Sequence, residues 1–328
     1  MNNLLSIVVC SHNAEKTISR TLNSIGKFLP TSVKVIVVDD GSTDRTCQLI
    51  REFQKNNPQI YFIEQENSGS AAARNRGMAL VDSEYVMFCD SDDEIKVFPW
   101  DSFLQAAKSK KDLVFFDYEL VQRNGGIVRV DSEFSFNDQK NLEIISDELR
   151  SDLMRSMGFW RYAYRVDFLS DYGIRFIGEL EEVAADFFVL DDYFFLLSVL
   201  SNAKTIEHIP EVVYRYYANQ NATMNRFKKQ SCYMARAALI QIKELSFNES
   251  FGDKSWYTLT LRTQLIESFT LLRLVDALRF QWSFRRSFWT LNKLCKSCGV
   301  KNTFKTSLVV DTQLFWKFLR TLRGLILR

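Results

Sequence analysis

The sequence predicts an α/β protein built around a mainly parallel sheet. Strand-length apolar runs alternate with amphipathic helical segments over residues 4–90, an order typical of parallel strands joined and covered by helices. The runs at 4–10 and 33–39 are apolar along almost their whole length, as expected of buried strands. Farther on, Asn124, Gly125 and Gly126 lie between two strand-like runs and predict a hairpin. The sheet should therefore be mixed, with an antiparallel edge.

The elements follow from these patterns in chain order. A helix at 14–28 places Ile18, Leu22 and Ile25 on one face, and a second helix has Ser42 or Asp44 as its N-cap. The predicted strands are 4–10, 33–39, 60–63, 85–89, 113–121, 127–130 and 212–217, the last following Pro210. The predicted helices are 14–28, 71–80, 100–108 and 192–200, together with the second helix, which runs from its N-cap to the stop at 56–58.

Charge divides the chain into two parts. Residues 1–228 contain 25 Lys and Arg against 34 Asp and Glu, a net charge of −9, whereas residues 229–328 contain 17 against 6, a net charge of +11. From about residue 229 the pattern indicates helices alone. We therefore expect an α/β domain at 1–228 and a basic helical region at 229–328, each facing different partners.

Several classes of protein are disfavoured. The first apolar run has the length of a strand and meets His12 at once, so we expect a mature chain from Met1 without a signal peptide. No stretch reaches the roughly 18 uncharged apolar residues of a membrane-spanning helix. Six cysteines without framework spacing indicate a reducing cytoplasm. The Cys295–Cys298 pair lacks the further ligands of a zinc site.

Polar residues follow each of the first four strands. In an open parallel sheet, ligands bind beyond the carboxyl ends of the strands. Three of the four ends contribute Asp or Glu, and their mutual repulsion is best relieved by a divalent cation that also binds a ligand phosphate. The polar ends are Ser11-His12-Asn13, Asp39-Asp40-Gly41-Ser42, Glu66-Asn67-Ser68-Gly69 and Asp90-Ser91-Asp92-Asp93.

A dinucleotide-dependent oxidoreductase is the main structural alternative, because Asp39 is placed where it would accept from a ribose. Residues 10–15 contain no glycine of the GxGxxG fingerprint, and no Walker A segment occurs. Phosphates should therefore be held mainly by metal and side chains.

Taken together, these segments resemble glycosyltransferase family 2. The resemblance rests on 6–13 (SIVVCSHN), 35–44 (VIVVDDGSTD), 66–77 (ENSGSAAARNRG) and 89–93 (CDSDD), and continues through 164–176, 191–195 and 209–215. It covers roughly residues 4–225 and implies the nucleotide-diphospho-sugar transferase fold of the A type (GT-A), with an inverting reaction.

The resemblance also implies site residues. Ser11, His12 and Asn13 would line the base pocket, with His12 in place of the more common Tyr. Asp39 would accept from the uracil N3–H or the ribose, supported by Asp40. Gly69 and Arg74 would lie along the nucleotide, Asp90 and Ser91 would reach the ribose, and Asp92, with Asp90, would hold Mn²⁺ or Mg²⁺ on the diphosphate.

The catalytic base of an inverting enzyme takes the proton of the acceptor hydroxyl. Asp192 matches the second acid of the family's Glu-Asp pair, and Asp191 stands where the family has Glu. The segment 178–190 is longer than usual, and its own acids, Glu179, Glu181, Glu182 and Asp186, compete for this role.

Other residues allow two interpretations each. Asp44 is a helix cap or a ligand, and His208 is a core-edge residue more often than a metal ligand. Trp160 and Tyr164 form an acceptor shelf or plain core. Arg215 contacts the diphosphate or lies on a strand edge.

The basic region interleaves cations with aromatic residues, most densely at 279–289. Such amphipathic helices suit an anionic membrane surface, although a helical cap on the first domain and contact with a second subunit remain alternatives. Nothing resembles a nucleic-acid recognition module.

We therefore predict transfer of a sugar from a UDP-sugar to a hydroxyl of a glycan or of a polyprenyl- or other lipid-linked acceptor. The process would be synthesis of capsule, O-antigen or lipooligosaccharide at the cytoplasmic face of a bacterial inner membrane. A sugar-phosphate nucleotidyltransferase would need a glycine-rich basic loop after the first strand, which is absent. A catalytically silent carbohydrate- or lipid-binding protein is disfavoured by the intact Asp90, Asp92 and Asp192.

Overall fold

The computed structural model describes residues 3–28, 30, 33–122, 124–130, 158–176 and 191–218. These residues belong to one compact unit. The predicted basic region at 229–328, with its Cys295–Cys298 pair, and the acids of 178–190 lie outside the described residues, so their roles stay predictions.

The predicted strands and helices occur in the predicted order, and short elements that the sequence analysis did not predict lie at 94–95, 159–161, 162–165 and 166–171. The strands are β1 (Leu5–Ser11), β2 (Lys34–Asp40), β3 (Ile60–Gln65), β4 (Tyr85–Asp90), β5 (Glu94–Ile95), β6 (Leu113–Val121), β7 (Ile127–Val130), β8 (Tyr162–Arg165) and β9 (Ile206–Tyr217). The helices are α1 (Ile18–Phe28), α2 (Thr46–Gln54), α3 (Ser70–Met78), α4 (Trp100–Lys108), α5 (Val166–Asp171) and α6 (Asp191–Asn202), and a 3₁₀ turn spans Phe159–Arg161.

The sheet is mixed, and this confirms the predicted fold class. Its strand order is β3-β2-β1-β4-β8-β6-β9-β5, with β7 paired to β6. Strands β1 to β4 are parallel where they pair, and β8 runs antiparallel to β4 and β6. The chain runs outward from β1 through β2 to β3 and then returns to place β4 on the other side of β1. The carboxyl ends of β1 and β4 thus flank the point where strand order reverses, which is where open α/β sheets bind ligands.

Two element boundaries differ from the prediction. Helix α1 begins at Ile18 and not at Ala14, and a turn closed by the N–H groups of Thr17 and Ile18 on the Ala14 carbonyl precedes it. Strand β9 begins at Ile206, well before the predicted Val212. Pro210 lies inside it at an irregularity where the pairing with β6 shifts register, so its missing N–H interrupts no regular ladder.

The core lies on both faces of the first four strands. Helix α3 packs so closely on β1 and β2 that a Cβ added to Gly77 would lie 2.4 Å from Val8 Cγ1. On the β8 side, Phe88 packs edge-on against Phe176 and Phe195, whose own rings stack at 3.9 Å. Among the described segments, no helix is both long and apolar enough to cross a membrane.

Candidate active site

The turn at the end of β4, residues 90–93, is here called the acidic turn, and helix α1 holds it in place. The turn closes with a hydrogen bond from Asp93 N–H to the Asp90 carbonyl at 3.1 Å. The Thr21 hydroxyl lies 3.0 Å from the Ser91 carbonyl and 2.7 Å from the Asp93 carbonyl, and the Arg20 guanidinium donates to the Asp92 carbonyl. These contacts all engage the backbone, which fixes the turn without using the carboxylates of Asp90 and Asp92.

The three acids of this turn have different surroundings. Asp90 and Asp92 are partly exposed, whereas Asp93 is fully buried. Asp93 accepts hydrogen bonds from the Tyr214 hydroxyl at 2.8 Å and from the backbone N–H of Tyr217 at 2.9 Å. Burial, together with the negative charges of Asp90 and Asp92, raises the pKa of Asp93 well above its ordinary value. Asp93 thus anchors the turn, and the two partly exposed acids face the site.

Arg74 joins the two sides of the site. Its Nη2 donates to Asp90 Oδ1 at 3.0 Å, and its Nη1 donates to Asp192 Oδ1 at 2.7 Å. The guanidinium lies 4.6 Å from the ring centroid of Phe159 and 5.3 Å from that of Phe176, and the residue is only 7% exposed. Two carboxylates therefore compensate a cation that is largely removed from water.

Asp192 lies in the first turn of α6, directly after the segment 178–190. Its side chain is 44% exposed, so it is accessible to an incoming ligand while Arg74 holds one of its oxygens. Asp191 begins the same helix. The catalytic roles of both residues remain predictions.

The carboxylate of Asp39 holds the loop after β2. Its Oδ1 accepts from Ser42 N–H at 2.8 Å, and its Oδ2 accepts from the hydroxyls of Ser42 at 2.6 Å and Ser11 at 3.1 Å. Asp39 is 1% exposed. The structure thus places Ser11 and Asp39 together at the ends of β1 and β2, as the strand order requires, and their contact with a nucleotide stays a prediction.

Asp40 holds the loop that precedes α3. Its Oδ1 accepts from Ser68 N–H at 2.8 Å, and its Oδ2 accepts from Gly69 N–H at 2.9 Å. The neighbouring Gly41 has a φ of +73°, and a Cβ there would lie 2.8 Å from Asn67 N. The close approach of the two loops therefore depends on glycine at 41, and Asp40 indirectly sets where the helix that carries Arg74 begins.

His12 is exposed beside these loops, and its tautomer follows from its neighbours. Asn13 Oδ1 accepts from Thr43 N–H at 2.9 Å, which turns the amide nitrogen of Asn13 toward His12 Nε2 at 3.0 Å. Nε2 then accepts, and Nδ1 carries the proton and donates to the Asp40 carbonyl at 2.7 Å. The imidazole ring is thus held at the carboxyl edge of the sheet, where the resemblance implies the uracil base of the nucleotide.

The acidic turn supplies part of the ligand set that a divalent cation needs. Among the described residues, no group of three or more His, Cys, Asp or Glu is arranged to hold a metal ion. Asp90 and Asp92 nevertheless offer hard oxygen ligands at partly exposed positions. Mg²⁺-like cations are commonly bound by one or two carboxylates, with substrate phosphates and water as the other ligands. The residues therefore fit a cation that arrives with a diphosphate and do not form a complete protein cage.

The residues with two interpretations are also placed. Arg215 forms ion pairs with Glu119 at 2.7 Å and Glu94 at 3.2 Å, and His208 lies 2.9 Å from Asp117. Tyr164 is fully buried and Trp160 nearly so, which favours core for both. Asp44 accepts from the N–H of Thr46, the first residue of α2, and thus binds the start of this helix from the position before its N-cap, Arg45.

Sequence reasoning missed the residues that hold the acidic turn. Arg20 lies on the predicted solvent-facing side of the helix, Thr21 is a polar residue at helical spacing from Ile18 and Ile25 on its apolar face, and Tyr214 lies in a predicted strand. Their roles depend on contacts with residues about 70 to 124 positions away in sequence. No local pattern predicts such contacts. The unbroken run of four polar residues at 90–93 indicates only that residues elsewhere in the chain must stabilise this turn.

The chain is similar in sequence to known glycosyltransferases. Residues 6–168 match the family model for glycosyl transferase family 2. EpsH of Bacillus subtilis, which is named as a glycosyltransferase, is 27% identical over 247 residues, covering 72% of this chain and 69% of EpsH. The poly(ribitol-phosphate) beta-N-acetylglucosaminyltransferase TarS of Staphylococcus aureus is 29% identical over 218 residues, covering 66% of this chain and 35% of TarS. The match thus spans only about a third of that relative.

Solved structures share the fold. The crystal structure of TarS 1–349 superposes with a TM-score of 0.65 at 20% identity, covering 89% of this chain and 80% of TarS 1–349. Its complex with UDP-GlcNAc gives 0.58 at 20% identity, with coverage of 93% and 92%. A mannosyltransferase of Pyrobaculum calidifontis in complex with GDP-Man and Mn²⁺ gives 0.50 at 17% identity, with coverage of 93% and 88%. The fold is therefore of the GT-A type, and residues 6–168 form a domain of glycosyltransferase family 2.

Proposed function

We propose that this protein transfers a sugar from a UDP-sugar to a hydroxyl group of a glycan or lipid-linked acceptor, with inversion at the anomeric carbon. The observation that carries the proposal is the Arg74 bridge. It brings Asp90, the last residue of β4, and Asp192, in the first turn of α6, to one guanidinium. A donor-binding carboxylate and a candidate base thus face the same space.

The donor half of the site would be the edge formed by β1, β2 and β4. The resemblance places the uracil near Ser11, His12, Asn13 and Asp39, and the diphosphate near Asp92. Support for a UDP-sugar comes from the complex of TarS with UDP-GlcNAc, and support for a cation comes from the Mn²⁺ complex of the mannosyltransferase. When bound at Asp92, with Asp90, such a cation would stabilise the negative charge that develops on the leaving diphosphate.

Asp192 is the proposed general base. The acceptor oxygen forms a bond to the anomeric carbon as the bond from that carbon to the diphosphate oxygen breaks, and the acceptor proton passes to the Asp192 carboxylate. Inversion requires the base and the leaving group on opposite faces of the sugar. Arg74 would hold the carboxylate in place through its charge-assisted hydrogen bond of 2.7 Å, so that less orientation remains to be acquired in the transition state.

The proposed process is synthesis of a bacterial surface polysaccharide. The similarity to TarS, whose name describes transfer to poly(ribitol-phosphate), supports an acceptor of the cell envelope. We assign the basic region at 229–328 to the cytoplasmic surface of the inner membrane, where a lipid-linked acceptor would be presented. The excess of cations in this region is the feature that supports this part of the proposal.

The test is a panel of nucleotide sugars incubated with the full chain in Mn²⁺ or in EDTA, with release of the nucleoside diphosphate as the readout. We expect release from one UDP-sugar, dependent on metal and abolished in Asp92→Ala. Ser109→Ala, at the exposed end of α4, is the control variant and should behave as the wild type. The proposal is wrong if no donor is cleaved and UDP with Mn²⁺ produces no heat of binding in calorimetry.

A further inference from the structure

The acidic turn is held from the β9 side by a single phenol. The Tyr214 hydroxyl accepts from the backbone N–H of Asp90 at 3.0 Å and donates to Asp93 Oδ2 at 2.8 Å. The other oxygen of Asp93 accepts from the backbone N–H of Tyr217 at 2.9 Å. One hydroxyl thus connects the first and last residues of the turn, and Asp93 connects that hydroxyl to the backbone of β9.

These contacts complement those from α1. The side chains of Arg20 and Thr21 bind carbonyl oxygens of the turn, whereas Tyr214 binds the N–H of its first residue. The Asp90 peptide is therefore fixed at its nitrogen by Tyr214. Because the Asp90 side chain projects from the residue whose N–H is held, a change at this hydroxyl should reorient the carboxylate.

We propose that Tyr214 and Asp93 are positioning residues for the cation and diphosphate, which set the direction of the Asp90 and Asp92 carboxylates without contacting the ligand. This inference rests on the proposed function. Both residues are fully buried, so they act through the turn. In metal sites, residues that orient the ligating groups commonly change affinity by about 10- to 100-fold when they are altered.

Tyr214→Phe is a clean probe of this role. The Tyr214 ring stacks on Trp160 with centroids 4.3 Å apart and an interplanar angle of 15°, and this packing holds the phenyl ring in place when the hydroxyl is removed. The measurement is the binding of Mn²⁺ in the presence of UDP, followed by the electron paramagnetic resonance signal of the free ion. We expect the Kd for Mn²⁺ to rise at least about 10-fold, with a matching rise in the Mn²⁺ concentration for half-maximal donor cleavage.

Tyr85→Phe is the matched control. Tyr85 is equally buried, and its hydroxyl donates to a backbone carbonyl, that of Lys111, at 2.7 Å. It begins β4, whereas Asp90 ends that strand. Each variant therefore removes a buried hydroxyl at one end of the same strand, with two hydrogen bonds lost at Tyr214 and one at Tyr85. We expect both variants to lose thermal stability, with weakened Mn²⁺ binding in Tyr214→Phe alone.

The outcomes separate this inference from the proposed function. Wild-type protein that binds no UDP with Mn²⁺ contradicts the proposed function itself. The positioning role alone is overturned if the wild type binds Mn²⁺ with UDP and Tyr214→Phe binds it equally well. It is likewise overturned if Tyr85→Phe weakens Mn²⁺ binding as much as Tyr214→Phe does.

Asp93→Asn is the second variant. Asparagine retains one carbonyl oxygen and cannot accept from both Tyr214 and Tyr217. We expect weaker Mn²⁺ binding in this variant too. The double variant with Tyr214→Phe should bind Mn²⁺ only slightly more weakly than the single variant with the higher Kd, because both changes break the hydrogen bond between Tyr214 and Asp93. Fully additive losses in this cycle would contradict a shared role.

Discussion

At the scale of single residues, Arg74 occupies an unusual place for a cation. It lies over the rings of two phenylalanines and contacts acids from two separate segments. The planar guanidinium presents several donors in fixed directions, so that one side chain reaches Asp90 and Asp192 together. A lysine ammonium is a point charge on a flexible chain and does not reproduce this geometry.

Arg74→Lys should therefore retain the charge and lose the bridge. We expect kcat for donor cleavage to fall about 100-fold, because small displacements of reacting groups have effects of this size. The control is Arg76→Lys, on the exposed face of the same helix, which should cleave the donor at the wild-type rate. Rates that are equal in the two variants would show that the bridge does not position the site.

The sequence identifies most residues of this site but not their mutual contacts. Asp90, Asp92, Arg74 and Asp192 are all predicted from motifs at strand ends and helix starts. The resemblance directs Arg74 to the nucleotide, whereas the structure pairs it with Asp192, 118 positions along the chain. Side-chain pairing over such separations depends on packing of the whole fold, which a local motif does not encode.

At the scale of elements, the approach of α3 to the sheet sets where Arg74 points. Gly77 faces Val8 on β1 and Val38 on β2. Any side chain at this position would push the helix away from the sheet and would move Arg74, one turn earlier, with it. The sequence AARNRG therefore encodes both the cation and the close packing that places it.

Gly77→Ala should destabilise the protein by about 1–3 kcal/mol, the usual cost of an extra methyl group in a packed core. Gly26→Ala is the matched control within α1, where the new Cβ would come no closer than 3.4 Å to Phe53. There the higher helix propensity of alanine should leave stability unchanged or raise it by up to about 1 kcal/mol. Chemical denaturation measures both, and a Gly77→Ala variant as stable as Gly26→Ala would contradict the packing argument.

The elements themselves were largely predictable. Strands β1 to β4 are continuous apolar runs, and their predicted limits agree with the structure to within about two residues. The predicted start of β9 is wrong because Pro210, a residue typical of strand boundaries, lies inside this strand. Its place in the sheet is permitted by a register shift opposite β6, which depends on the partner strand and leaves no signal around residue 210.

At the scale of the whole molecule, the chain is strongly asymmetric in charge. The α/β part is acidic, and the region at 229–328 has a net charge of +11. A basic region rich in aromatic residues is expected to bind anionic lipid surfaces with an affinity that falls as salt rises.

The full chain should therefore sediment with vesicles that contain anionic phosphatidylglycerol and remain in solution with neutral phosphatidylcholine vesicles. Replacing Arg279, Arg285 and Arg286 by Gln should weaken binding on the order of 100-fold, at about 1 kcal/mol per cation. Replacing three exposed cations of the α/β part, Lys16, Lys55 and Lys108, by Gln is the matched control. Equal losses in the two triple variants would show that binding depends on overall charge and not on the basic region.

The central claim is that Asp192 removes the acceptor proton in a site that binds a UDP-sugar. The most direct measurement compares wild type and Asp192→Asn, using calorimetric binding of UDP with Mn²⁺ and the rate of UDP release from the preferred donor. We expect unchanged UDP binding and a rate lowered by about 10²- to 10⁴-fold, the usual contribution of a general base. An Asp192→Asn variant that binds UDP and releases it at the wild-type rate would contradict the account.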